Sequence, residues 1–358
     1  MTLRAIAMSS HVVQFIVRHG DKYYATQGAK TDLIPLLIHI MTKLGSSNTV
    51  DHRQLAVKLA AMLVDWQKRY KEEKSSSLIE KRHGDSIIHF IIKNMIQFFA
   101  NSSASIKNEM VPKCKTIFAT IYRHQLWTDV LVRPGVFERQ LADPGEGNDE
   151  KSTQAAAALL TLTELVRVVP ETLNEIIRLQ NSLKTLTTKM NDKRIRPAFC
   201  ELIKEVVLKY PSAFSPANST KSEPMEIDNH PQVQQRVTST DLVGLKVVIL
   251  AQINEGLNQS EATQEYQYEI RKALELVMAA KNIPGLIDEI TTSLVKIFSK
   301  LTKDHINMSK NSHRPQDLQA NVSMIGSIAQ FRLPIFLPFS KLWNFHRQPT
   351  AANDESSE

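Results

Sequence analysis

Two cysteines and eleven histidines are the side chains from which nucleophilic or metal chemistry would have to be assembled in this chain of 358 residues. Their spacing does not assemble it. Cys114 and Cys200 stand alone, so they form neither a C-x-x-C metal pair nor the framework of a disulfide-rich domain. Both fall on apolar helical stripes, where a thiol is normally an inert packing group. His83 and His89 are six positions apart, and on a helix that spacing does not point both rings at one metal. The other histidines are scattered and read as surface or satisfied core residues. The sequence contains no H-E-x-x-H pair, no G-x-S-x-G elbow, no H-R-D or D-F-G, and no G-x-x-x-x-G-K-[ST] loop. Gly145-Glu146-Gly147 is a lone G-x-G with no strand before it, and reads as a flexible loop rather than a phosphate cradle. The reading is of a chain with no catalytic, cofactor-binding or metal-ligating residues, which uses no cofactor and is not an enzyme.

Charge is the next candidate for function. The formal net charge is +7, and the basic residues are spread along the chain. The densest group is Lys68, Arg69, Lys71, Lys74, Lys81 and Arg82, with Glu72, Glu73 and Glu80 among them. It reads as a solvated spacer, with nucleic-acid binding or nuclear import as the alternative. Direct nucleic-acid contact is therefore not the expectation. No apolar run is long enough to span a bilayer, and no secretory signal is recognised, so no membrane partner is expected. Two isolated cysteines fit a reducing compartment.

Helices must position whatever the chain presents. Leu55, Leu59, Met62, Leu63 and Trp66 recur at helical period, so Arg53–Arg69 is a strongly amphipathic helix, with Asn48 or Thr49 as its cap. Similar stripes mark 3–19, 32–44, 85–100, 108–122, 152–169 and 197–210. Residues 71–81 read as a mobile, Ser-rich loop, and Asp143–Glu150 as a polar turn. Residues 212–238 are rich in Ser, Pro, Asn and Gln and poor in apolar residues. They cannot bury enough surface to offset ordering entropy, and read as a disordered linker. Helical stripes resume over 239–257, 264–281 and 284–305. Helix, short loop, helix, repeated without a strand, is the pattern of an all-α protein, an α-solenoid of HEAT-like helical hairpins.

Particular residues carry a closer likeness. Val12-Val-Gln-Phe-Ile-Val17, Tyr23-Tyr24, Ile38 through Gly45, Gln54 through Ala60 and then Trp66 resemble the HEAT region of the TRRAP family. These are giant pseudokinases of the phosphatidylinositol 3-kinase-related group. Glu80-Lys81, His83, Asp85 and Phe90-Ile91-Ile92 look like the next family helix, and Trp127 and Phe137 fall where the family has a Trp and a Phe. The likeness runs to about Met308. It implies a helical array over 1–211, the linker 212–238, a second array over 239–308, and an unmatched, largely disordered tail over 309–358.

The resemblance implies a non-catalytic scaffold that holds protein partners in a SAGA-type histone acetyltransferase complex. Those partners would be acetyltransferase complex subunits and transcription activators, and the location nuclear. A nuclear-transport type of α-solenoid adaptor, or a basic nucleic-acid-binding helical module, is the alternative. Whatever the partners, Trp66 reads as a core anchor. Replacing it with Ala is expected to cost about 3–5 kcal/mol, through lost apolar burial and the cavity left behind. Thermal unfolding of Trp66→Ala checks this, and an unchanged melting temperature would count against the packing.

Overall fold

The structure, a computed structural model, describes residues 3–25, 30–47, 49–127, 136–142, 148–169, 172–187, 192–210, 239–257, 264–281, 283, 285–310 and 314–331. Every regular element among them is a helix. The chain divides into two compact units. One takes in the helices up to Tyr210 and the Ser239–Val248 half of a later helix, and the other begins at Ile249. The linker expected at 212–238, the turn at 143–147 and the acidic tail all lie outside the described residues.

In the first unit, α1 (Leu3–Arg18) and α2 (Gly20–Ala25) meet at an elbow, followed by α3 (Lys30–Gly45) and the long α4 (Val50–Lys74). Both α1 and α3 pack on α4. Trp66 is 1% exposed. Its ring lies 6.3 Å from that of Tyr24 on α2. The elbow comes close enough that a Cβ on Gly20 would stand 2.9 Å from the Met62 sulfur. Arg69 fastens the same corner, with Asp21 at 2.6 Å and Asp65 at 2.7 Å. Burial, and then Glu73, push the Tyr24 hydroxyl up to about 12. Thr49 occupies the N-cap position of α4 but makes no side-chain cap bond there. Its hydroxyl instead meets Ser47 at 2.9 Å.

After α4 the structure departs from the expected mobile loop. Lys74 ends the helix, and Ser75 takes a left-handed conformation (φ 53°) whose N–H returns to the Lys71 carbonyl. Residues 75–80 are then pinned at Ile79, which is fully buried. Its N–H donates to Gln67 Oε1 at 2.7 Å, and its carbonyl accepts from Trp127 Nε1 at 2.9 Å. A buried peptide group needs both partners, and here side chains supply them where no ladder exists. Trp127 follows α6 (Ala104–Arg123) in a turn where Gln125 and Trp127 both have positive φ, 49° and 51°. Lys71 Nζ steadies that turn by donating to the carbonyls of His124 and Gln125, each at 3.0 Å. Non-glycine residues held this way cost about 1–2 kcal/mol each, so the surrounding contacts must exceed that.

The latch also fixes α5 (Lys81–Asn101). Gly84 lies under the Trp127 indole, and a Cβ there would stand 2.3–2.6 Å from ring atoms. Adjacency in the chain alone would set α5 against α4. The structure packs α4 chiefly on α3 and α6, and turns α5 toward α6, α8 and α3. The α5 stripe is nevertheless doubly covered, with Ile87, Ile88, Ile91, Ile92, Met95 and Phe98 all buried.

Helix α8 (Asp149–Val168) is covered by α11 (Ile195–Lys209), α5, α6, the short α7 (Val136–Gln140) and α9 (Thr172–Arg178). Asn148 caps it by accepting from Lys151 N at 3.0 Å. Ala155 to Ala158 are all buried, and small side chains let neighbours approach on every side. Thr161 and Thr163, also buried, each bond a carbonyl one turn back at 2.8 Å. At its C-terminal end Arg167 reaches Glu164 and Glu201 at 2.6 Å and Glu205 at 2.7 Å. Lys115 of α6 takes the other Glu164 oxygen at 2.5 Å. These carboxylates raise the Arg167 pKa further, so its charge is permanent. Beyond α9, α10 (Gln180–Thr187) buries Leu183 and Leu186. Asp192, two residues before the N-cap of α11, accepts from Arg194 N at 2.8 Å and Ile195 N at 3.4 Å.

The second unit contains the Ile249–Leu257 part of α12 (Ser239–Leu257), α13 (Gln264–Ala280), α14 (Leu286–Lys310) and α15 (Pro315–Ala329). Helix α15 packs on α13 and α14. Ile290, Leu294, Phe298 and Leu301 of α14 and Met324, Ile325 and Ile328 of α15 form its core. The tail expected from Ser309 thus begins inside a helix and contains another. Pro315 at the first turn suits a helix start, and Met324, Ile325 and Ile328 supply the stripe.

Gly84→Ala is expected to push Trp127 off the Ile79 carbonyl and to lower stability by about 1–3 kcal/mol through overpacking. Hydrogen exchange at residues 75–80, faster than in the parent protein, is the local readout. Glu175 gives a pH-dependent expectation. It is 3% exposed, its Oε1 has no hydrogen-bond partner, and Arg178 is 4.0 Å from the other oxygen. Burial raises its pKa, opposed by Arg178 and reinforced by Glu138. A carboxylate whose folded pKa is raised destabilises the fold at neutral pH and recovers as pH falls through that value. Glu175→Gln should therefore raise the melting temperature at pH 7, by an amount that shrinks as the pH is lowered toward the ordinary carboxylate range.

Candidate functional site

The residues that might have carried chemistry are placed apart. Cys114 is fully buried in α6, and burial pushes its thiol up to about 12, which removes the thiolate at neutral pH. Cys200 is half-buried on α11. His83 and His89 lie on α5 with one half-buried and the other exposed. The His89 pKa is lowered by burial first and then by Lys93 and Arg139, so its neighbours are cations rather than further metal ligands. Among the described residues no group of three or more His, Cys, Asp or Glu is arranged to hold a metal ion. Gly145-Glu146-Gly147 lies outside the described residues. Phe90 and Phe98 are core residues of α5, at 5% and 0% exposure, and are not available to stack on a base.

The basic cluster from Lys68 to Arg82 is largely used within the fold. Arg69 is held by Asp21 and Asp65, and Lys71 by two carbonyls. Lys74 stands 5.3 Å from the Tyr70 ring centre, and Arg82 pairs with Glu80 at 2.7 Å. What looked like a charged spacer fastens α2 and the α6 turn to α4. Sequence reading could not find this, because the partners Asp21, His124 and Gln125 are some fifty positions away.

What the first unit offers outward is surface. Val12 and Phe15 on α1 are 57% and 56% exposed, and Leu36 on α3 is 54% exposed. Val12 and Phe15 are one turn apart, so they share a face, and Phe15 is braced by the His19 ring at 4.6 Å. These residues lie outside the buried stripes Val13–Ile16 and Leu37–Met41 of the same helices. Together they offer apolar area to solvent on α1 and α3. Among the described residues no helix is long and apolar enough to cross a membrane.

Comparison with known proteins places this architecture. The Tra1 HEAT repeat ring region matches residues 4–86 and 70–333. The match passes beyond Met308, where the likeness carried by individual residues ends, and takes in α15. A human relative, "Transformation/transcription domain-associated protein", is 20% identical over 365 residues, covering 83% of this chain. The zebrafish (Danio rerio) protein of the same name is 20% identical over 371 residues, covering 84%. The Schizosaccharomyces pombe "SAGA complex/NuA4 acetyltransferase complex subunit Tra1" is 21% identical over 313 residues, covering 85%. This chain spans 8–9% of the length of these curated relatives. No solved structure matches it. With helix packed on helix throughout the described residues and the family pattern running through most of its length, the chain belongs to the Tra1 HEAT repeat ring region family, an α-solenoid of helical hairpins.

Proposed function

We propose that this chain is a non-catalytic helical scaffold that holds protein partners in a nuclear acetyltransferase complex of the SAGA or NuA4 type. The observation that carries the proposal is the family match across both units, residues 4–86 and 70–333. The name of the fission yeast relative, a subunit of both complexes, supplies the assembly. The partners would be acetyltransferase complex subunits and transcription activators. The exposed apolar residues Val12, Phe15 and Leu36 support a binding role. So does the inert setting of Cys114.

A solenoid binds by spreading many weak contacts over a long surface, with a few apolar anchors contributing most of the energy. In this reading the arrays 1–211 and 239–308 are two such surfaces joined by the 212–238 segment. Affinity purification of the tagged chain from nuclear extract is the test. Recovery of acetyltransferase subunits, reduced several-fold by Val12→Asp with Phe15→Ser, is the expected result. Recovery of nuclear-transport cargo in their place would assign the chain to a transport adaptor.

A further inference from the structure

We propose that the outer face of α14 binds the sugar–phosphate backbone of a nucleic acid. This goes beyond the scaffold reading and stands on a different element. Leu286, Ile290, Leu294, Ile297, Phe298 and Leu301 turn one side of α14 into the core of the second unit. Lys296, Lys303 and Lys310 are exposed and recur every seven residues, so they form a single row on the opposite side. Among the described residues none of the three is paired with a carboxylate. The row runs about 21 Å, the axial length of roughly six base pairs.

The side chains between the lysines decide what kind of anion fits. Thr292, Ser299 and Asn307 lie along the same side, so hydroxyl and amide donors alternate with ammonium groups. That mixture is the set that contacts phosphate and sugar oxygens in nucleic-acid complexes. An acidic helix from a partner protein would need apolar anchors beside its charges, and Ile306, 42% exposed at the margin, is the large apolar residue this face offers. The helix's own carboxylates are kept away from the row's centre. Asp288 and Glu289 sit in the first turn, where they suit the positive helix end; Glu289, seven residues before Lys296, closes the row at that end, and Asp304 is on the flank. Lys300 adds a further cation at the row's edge. The contrast with the 68–82 cluster is direct: Arg69, Lys71 and Arg82 have partners within the fold, and among the described residues these three lysines have none.

The test is fluorescence anisotropy of the full chain with a labelled duplex DNA of about 20 base pairs, repeated over a series of salt concentrations. A single-stranded RNA of the same length forms a second arm, which tells which form of backbone is preferred. Replacing Lys296, Lys303 and Lys310 by Gln should weaken binding at least tenfold. It should also flatten the slope of log K against log salt by about 2.7, or about 0.9 for each phosphate contact removed from a duplex. The corresponding triple Lys→Arg variant should retain binding. As a control of equal charge, Lys58, Lys93 and Lys209 are exposed on α4, α5 and α11. Their replacement by Gln should leave both quantities close to the parent values. Equal loss in the two Gln triples, or no binding by the parent at low salt, overturns the proposal. So does displacement of the duplex by polyglutamate at equal or lower charge concentration, which would mark a surface for acidic protein.

Discussion

Helix α8 has no free apolar face, and the first unit is arranged around that constraint. A helix with buried residues on every side must be surrounded before its stripe, or its threonine hydroxyls, leave water. Ala155 to Ala158 make room for close neighbours, while Leu159, Leu162, Leu165 and Val166 supply apolar area. Each such leucine contributes about 1.5–3 kcal/mol on burial. The ion pairs about Arg167 are partly exposed, and pairs of that kind contribute about 0–1 kcal/mol. Apolar cover therefore holds α5, α6 and α11 on α8. The Arg167 group fixes which residues of α6, α8 and α11 lie opposite one another.

The segment between α4 and α5 obeys a second constraint, that of the buried peptide group. Ile79 is carried to the interior by a stretch with no regular structure, so both its N–H and its C=O need side-chain partners. Gln67 and Trp127 meet that need, and Gly84 gives Trp127 the space to do so. Segments up to 48 positions apart thus converge on one residue. Lys71 adds a fourth tie by holding the carbonyls that end α6. The Trp66 corner is built in the same manner, with Gly20, Tyr24 and Arg69 filling the angle between α2 and α4.

These ties bear on function because they separate cations that serve the fold from cations that face outward. A count of charge along the chain ranks residues 68–82 first. Pairing within the fold removes most of that cluster from the surface chemistry, and the lower-density lysines of α14 are left presented together. The same sorting applies to apolar residues. Phe90 and Phe98 vanish into the core, whereas Val12, Phe15 and Leu36 stay outside it.

Periodicity alone determined that the chain is all-α, because an amphipathic stripe is a local property of residues three and four apart. It placed most helices to within a few positions, marked Trp66 as an anchor, and excluded the common catalytic motifs. Residues such as Val12 to Val17 and Gln54 to Ala60 also carried the family. Periodicity did not reveal α15, whose stripe is short and stands close to prolines, nor the length of α14. Only the tertiary structure decided that residues 75–80 are latched and that α5 turns toward α8. It alone showed which of the basic residues are occupied. Those outcomes rest on groups some fifty positions apart, Asp21 with Arg69, Ile79 with Trp127 and Lys71 with His124, and contact at that separation exists only once the helices are packed.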